Sequence, residues 1–345
     1  MKSKTINRII SFLFLLAVLF SCKKDESAST PSTPFTATSG GVYISNEGVF
    51  NNGNSSITYY SPGGTTAPDA FRTANGTSLG DICQSMYLHN NKLYIVVNNS
   101  GKIEVCDPLS LKKTATITGL TSPRYFLPVS LTKAYVTDLF SGFISILNLQ
   151  NNTVSGTISL SGWTEELIEL NGMVYVANYI SNKIFVIDPL TDLVMDSILA
   201  GPNGMSIQSD MNGKIWLLCS NDYVSQPGAL FRIDPLTKQV EFNHTFTLSE
   251  YPARLRKNAA GTQLYLINSD VVKIDANTTT YPVSTFISNN SRNLYGLGVD
   301  PSGIIYVSDA FNNNQKGKIY RYDQNGNELN RFDAGISPGD FLFLP

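Results

Sequence analysis

An aromatic residue leading a short β-branched or aliphatic run returns seven times along this chain. The copies are headed by Tyr43, Tyr94, Tyr135, Tyr175, Trp216, Tyr265 and Tyr306, at intervals of 51, 41, 40, 41, 49 and 41 residues. The clearest run from Lys92 to Leu111 (KLYIVVNNSGKIEVCDPLSL), Lys133 to Leu149 and Met173 to Leu190, with fainter ones from Lys214, Gln263 and Ile304. Self-similarity near 40 to 45 residues, several short β-rich runs per copy and no helical period predict an all-β, seven-bladed β-propeller of four-stranded antiparallel blades.

Within a copy, a run such as Tyr94-Ile95-Val96-Val97 has strand propensity and ends on an Asn or Asp, residues that tolerate a left-handed turn. The run that follows ends in Asp-Pro-Leu-Ser/Thr, at Asp107, Asp188 and Asp234. Asp in the first turn position and the preset φ of Pro in the second are what a type I turn requires. The C-terminal Ser337-Pro338-Gly339-Asp340-Phe341-Leu342 resembles Ser122-Pro123-Arg124-Tyr125-Phe126-Leu127, which reads as an innermost strand. The C-terminal strand is therefore expected to complete the N-terminal blade that begins at Val42, closing the ring and removing exposed sheet edges.

Residues 1–21 carry a different message. Lys2, Lys4 and Arg8 precede an apolar run, Ile9 to Phe20, too short for an ordinary membrane-spanning helix, and Leu19-Phe20-Ser21-Cys22 places a small residue before a cysteine. This resembles a bacterial lipoprotein signal, which implies acylation of Cys22. Lys23-Lys24-Asp25-Glu26 resembles the surface-export tetrad of Bacteroidetes lipoproteins, a solvated charge run being the plainer alternative. Residues 22–40 read as a Ser/Thr/Pro-rich tether with an extended reach of roughly 60 Å, and residues 41–345 as the propeller.

A net charge of −2 and the absence of a Lys/Arg cluster after the signal argue against nucleic acid as a partner. Beyond Cys22, the odd set Cys83, Cys106 and Cys219 lacks metal-ligand spacing, so buried free thiols are expected. His89 and His244 fall away from the loops expected to bind ligand. Glu47, Glu165, Glu166 and Asp340 could converge near the channel, where they would bind calcium or act as acid and base. The reading adopted is no enzyme, no cofactor and no metal.

Propellers bind ligands on the end of the ring where the loops between second and third strands meet the entries to the innermost strands. The loops begin at Asn46, Asn98, Asp138, Asn178, Asn221, Asn268 and Asp309, which either cap their turns or bond a ligand. Phe50, Phe140, Tyr179, Tyr223 and Phe311 lie just beyond. The inner-strand entries add Arg124, Tyr125, Trp163, Tyr251, Arg254, Arg292 and Tyr295, beside Glu47 of the long first loop. Such a face suits a large, partly apolar ligand with peripheral hydrogen-bonding groups, or a protein.

The repeat KLYIVVNNSGKIEVCDP resembles the YVTN or YncE-like propeller repeat. Val42-Tyr43-Ile44-Ser45-Asn46-Glu47-Gly48, Leu79-Gly80-Asp81-Ile82 with Gln84-Ser85-Met86, Ser122-Pro123-Arg124-Tyr125 and Ala134-Tyr135-Val136-Thr137-Asp138 are similar to a Bacteroidetes group of lipoprotein propellers that includes the surface cobalamin-binding protein BtuG. These motifs are largely structural, so what they imply is the fold and the anchoring. A corrinoid ligand and a TonB-dependent transporter partner are expectations taken from that one group member. The expected function is an outer-membrane, surface-exposed, lipid-anchored binding protein for a large nutrient. The alternatives are an interaction scaffold of a surface complex and a calcium-assisted lactonase-like hydrolase.

Overall fold

The computed structural model describes residues 34–345; Cys22, the signal and the first part of the tether lie outside the described residues. Seven antiparallel sheets follow one another around a ring. The blade containing Lys92–Val97 shows the plan, its strands Cys83–His89, Lys92–Val97, Lys102–Cys106 and Lys113–Ile117 ordered from axis to rim. Cys83, Cys106 and Cys219 are buried and free. Cys83 opens its strand and Cys106 closes a parallel-running one, which holds them apart.

Closure is as expected. Pro338–Phe343 pairs antiparallel with Val42–Asn46, bringing Phe341 opposite Ile44 and Leu342 opposite Tyr43. The chain ends thus share one sheet with Ser56–Tyr60 and Thr66–Ala67.

The repeating aromatic cements blade to blade. Tyr94 stacks on Phe126 of the next blade with centroids 4.4 Å apart, and Tyr306 packs against Phe341 at 5.8 Å. The Tyr43 hydroxyl donates to the Pro108 carbonyl at 2.8 Å, and the Tyr135 hydroxyl to Asp192. Trp216, Tyr43 and Tyr135 are fully buried. Apolar rings fill the wedge between blades, the hydroxyls of Tyr43 and Tyr135 reach a neighbour's turn, and the Trp216 indole donates to Asp210 of its own blade at 2.8 Å.

Three features differ from the sequence reading. The sheet of Ala253–Lys257, Gln263–Asn268 and Asp270–Asp275 has three strands, and where a fourth would lie there is only an isolated bridge between Val271 and Ile287. The segment before Ile287 contains Pro282, which cannot donate to a ladder. A short helix, Ala70–Asn75, capped by Asp69 and buried through Phe71 and Ala74, follows the first blade. Residues 34–40, read as part of the tether, pack against the propeller. Phe35 sets its ring edge-on to Tyr59 at 5.4 Å, and Ala37 is buried with its N–H bonded to the Leu109 carbonyl at 2.7 Å.

Deleting the last six residues should abolish the single cooperative melting transition, because it strips the first blade of its inner strand. Phe341→Ala alone should cost about 3 kcal/mol or more. Differential scanning calorimetry checks both, and a truncated chain melting at the wild-type temperature would refute closure by this strand.

Candidate functional site

Every innermost strand carries a one-residue β-bulge near its start, where it leaves the ladder to the second strand. The shifts fall between Pro123 and Phe126, Thr164 and Leu167, Ala253 and Arg256, Leu294 and Leu297, Gly204 and Ser206, and Cys83 and Ser85, and opposite Ser45/Asn46 in the closing blade. A bulge breaks the in-out alternation and re-aims a side chain. Here the residues re-aimed are Gln84, Arg124, Tyr125, Glu165, Glu166, Arg254 and Tyr295, all at the axis end of their blades.

They close the channel in two tiers. In the upper tier Arg124 holds Glu165 with two bonds, Nε to Oε1 at 3.0 Å and Nη2 to Oε2 at 3.1 Å, and donates its other amino group to Gln84. The Trp163 indole donates to the same carboxylate. Arg254 donates to Glu47 at 3.2 Å and lies over the Tyr295 ring at 5.1 Å, while the Tyr295 hydroxyl donates to the other Glu47 oxygen at 2.6 Å. In the lower tier Arg256 donates to Glu166 at 2.8 Å and approaches Asp340 at 3.7 Å. Glu166 also accepts from the Ile207 N–H at 3.1 Å, and Asp340 from the Met86 N–H at 3.2 Å. Bidentate, charge-assisted geometry offsets the desolvation such buried charges incur.

The four carboxylates considered for calcium or acid-base work do converge on the channel, but each is paired with an arginine. Among the described residues no group of three or more His, Cys, Asp and Glu is arranged to hold a metal ion. Burial pushes the Glu165 carboxyl above the usual carboxylate range, against the opposing pull of Arg124 and Trp163. Burial first, and the Glu47 charge second, hold the Tyr295 phenol well above its ordinary value, so it stays a donor.

Above this plug opens a cavity of about 350 Å³ lined by Glu47, Arg124, Tyr125, Asn221, Tyr223, Tyr251, Arg254 and Tyr295, eight of the residues singled out in the sequence. Gln84, Met205, Ser206, Ser220, Pro252, Ala253 and Leu294 complete it. Nothing in their residue types marked them; all but Ser220, which follows a second strand, lie at or beside the bulges. Two stacked aromatic pairs stand at this end of the ring, Trp163 on Tyr179 at 4.0 Å and Tyr223 on Tyr251 at 5.1 Å. Phe50, Phe140 and Phe311 are exposed on their loops but do not line the cavity.

The polar ring behaves differently from a ligand-bonding surface. Asn46, Asn98, Asp138, Asn178, Asn221 and Asp309 are buried. Asn46 bonds Ser56, Thr58 and the Gly335 N–H; Asn98 bonds Ser122 and the Pro123 carbonyl; Asp138 accepts from the Ser122, Phe140 and Ser141 N–H groups. Asn178 accepts from the Ile180 and Ser181 N–H groups, Asn221 donates to the Leu248 and Glu250 carbonyls, and Asp309 accepts from the Asn293 and Phe311 N–H groups. Their hydrogen bonds go to their own turns and to neighbouring segments of the chain, as Asx side chains after a strand readily make. They shape the loops.

The loop after Asn221 is rigid rather than decorative. The Asp222 carboxylate accepts the N–H groups of Val224, Ser225 and Gln226 at 2.7 to 2.8 Å, which lowers its pKa to about 2. That loop carries Tyr223, 77% exposed, at φ +63°. A left-handed conformation costs a non-glycine residue on the order of 1 kcal/mol, and this ring regains little by burial. Its packing gain is the stacking on Tyr251, itself half exposed.

Fold and mouth together define a seven-bladed β-propeller with an ion-paired channel and an aromatic rim. The family follows from the sequence: the model described as domain of unknown function DUF5074 matches residues 40–335, and the chain belongs to that family. No curated protein matches it. Among solved structures it is similar to a quinonprotein alcohol dehydrogenase-like protein from Bacteroides thetaiotaomicron, at 16% identity and TM-score 0.67 over 88% of this chain and 78% of that one. A provisionally assigned 6-phosphogluconolactonase from Bacteroides fragilis gives 10% identity and TM-score 0.62 over 88% and 98%. The dihydro-heme d1 dehydrogenase NirN gives 11% and 0.60 over 92% and 78%. At these identities the likeness is one of fold.

Arg124→Met leaves Glu165 buried without its cation and should destabilise by about 3 to 5 kcal/mol. Adding Glu165→Leu should recover most of the loss. With Arg124 gone, the folded-state pKa of Glu165 rises further above its unfolded value, so the penalty is largest at neutral pH and shrinks on acidification through that raised pKa. Urea melts of both variants from pH 5 to 8 test this; a penalty independent of pH, or undiminished in the double variant, would contradict it. Tyr223→Gly should leave the melting temperature unchanged or higher, since glycine takes positive φ freely.

Proposed function

We propose that this propeller is a lipid-anchored binding protein of the outer membrane, exposed at the cell surface, that presents its aromatic mouth to a large nutrient ligand for a TonB-dependent transporter. The ligand named is a corrinoid. The observation that carries a binding role is the pair of stacked aromatic platforms over an ion-paired floor, with Tyr223 exposed on a loop held by Asp222. Flat, partly apolar ligands gain most from such rings, and the paired floor offers hydrogen-bonding edges without an unpaired charge. The cavity of about 350 Å³ is smaller than a corrinoid, so such a ligand would lie across the mouth and lower only a peripheral group into it. The motifs that resemble those of the Bacteroidetes lipoprotein propellers support the fold and the anchoring, and the Cys22 and Lys23-Lys24-Asp25-Glu26 signals support the location. The arginine partners of Glu47, Glu165, Glu166 and Asp340 weigh against a calcium-assisted hydrolase, for which free carboxylates are needed.

Calorimetric titration with cyanocobalamin and with cobinamide tests the ligand. Heat is expected from the native protein, with a loss of about 2 kcal/mol, roughly thirtyfold in Kd, for Tyr223→Ala or Tyr251→Ala. Leu190→Ala, at the opposite end of the ring, should bind as the native chain does. No heat and no thermal shift at high micromolar ligand would remove corrinoids and leave another large nutrient or a protein. Calcium is expected to leave the melting temperature unchanged, whereas one ion at 100 times its Kd would stabilise by about 2.7 kcal/mol.

A further inference from the structure

The end of the ring opposite the mouth is apolar along one arc and polar along the other. Three turns there share Asp-Pro-Leu: the carboxylate of Asp107, Asp188 or Asp234 accepts the N–H of the leucine two residues on, at 3.1, 2.8 and 2.8 Å. That bond fixes the turn with Leu109, Leu190 and Leu236 at its outward tip. Leu190 is 91% and Leu236 81% exposed, and Leu131 and Met211, on the first turns of the third and fifth blades, are exposed at the same end. The second to fifth blades thus each offer an apolar tip. The corresponding turns of the sixth, seventh and first blades read Asp275-Ala276-Asn277-Thr278, Asp323-Gln324-Asn325-Gly326 and Ser61-Pro62-Gly63-Gly64. An asymmetric row of exposed leucines on turns that burial does not need is an interaction surface.

The chain itself points to what covers it. The Ala37 N–H donates to the carbonyl of Leu109, so the stretch from residue 34 on joins the propeller at the first apolar tip of the arc. An acyl chain on Cys22 would lie only twelve residues before Pro34, a contour of about 40 Å at most. We propose that the Leu109, Leu131, Leu190, Met211 and Leu236 arc rests on the lipid bilayer that receives the anchor, inserting its turn tips at the headgroup level. This rests on the lipid-anchor reading and adds an orientation to it: the propeller stands on one edge of its lower rim, with the aromatic mouth turned from the bilayer. Apolar side chains at an interface add to the reversible binding that a lipid anchor provides.

The acylated full chain, purified from membranes and reconstituted in phosphatidylethanolamine/phosphatidylglycerol vesicles, carries an environment-sensitive fluorophore on a cysteine introduced at position 190, 236 or 140. Blue-shifted emission and quenching by bromolipids at 190 and 236, with position 140 on the mouth loops still in water, is the expected result. Unquenched labels at 190 and 236 on a chain that floats with the vesicles would overturn the docking and leave the anchor intact, pointing to a protein on this arc. Flotation of Cys22→Ser chains equal to wild type, with the same labels quenched, would support the docking while removing the anchor. Leu190→Ser with Leu236→Ser should weaken vesicle partitioning of the Cys22→Ser chain roughly tenfold or more; an unchanged partition would also overturn the proposal.

Discussion

Seven inner strands meet around one axis, and whatever side chains they aim at it must satisfy each other, because little water can reach them. In this propeller the bulged inner strands, with Glu47 of the first loop, bring three arginines, four carboxylates, two tyrosines and a glutamine to that axis. Their pairing is closed: Arg124 with Glu165 and Gln84, Arg254 with Glu47 and Tyr295, Arg256 with Glu166 and Asp340. These bonds run between blades, and the Arg256–Glu166 pair joins the sixth blade to the fourth past the fifth. The ring is thus closed by the C-terminal strand, which completes the first blade from the inside, and held at its centre by charge. Removing one member strands another in low dielectric, which is why the plug constrains everything around it.

The plug also decides where a ligand can go. A channel filled by paired groups is a floor, so the face above it becomes a shallow mouth of fixed shape. Asx residues at the strand ends hold the loops, and Asp222 locks the one that carries Tyr223. Rings held this way lose little conformational freedom on binding, which is what makes aromatic platforms efficient contacts.

Much of the fold was legible in the sequence because a repeat repeats its physics. The Tyr-led strand, the Asn or Asp that ends it and the Asp-Pro-Leu turn recur with one spacing, and Pro338-Gly339-Asp340-Phe341 echoes Pro123-Arg124-Tyr125-Phe126 closely enough to reveal closure. The exceptions have local causes: Pro282 interrupts the place of a fourth strand, and Phe35 finds Tyr59 in a stretch that composition alone assigns to a tether. The site was only half legible. Aromatic residues at loop positions were visible, but whether Phe140 joins the cavity and Tyr251 lines it depends on loop direction. The arginine partners of the carboxylates, Arg256 above all, come from other blades, and a bulge that shifts alternation by one residue leaves no mark in composition. The same Asn and Asp residues that advertised a polar ring turned inward to cap, an outcome that side-chain type does not decide.

Hydrogen exchange of the native chain with and without cyanocobalamin tests the central claim, that the mouth above the plug is the binding face. Protection is predicted in the loops 47–55 and 221–228 and at the inner-strand entries 251–254, with the turns at 107–111 and 188–192 unchanged. Protection confined to those turns or to the outer rim, with the mouth loops exchanging as before, would contradict it.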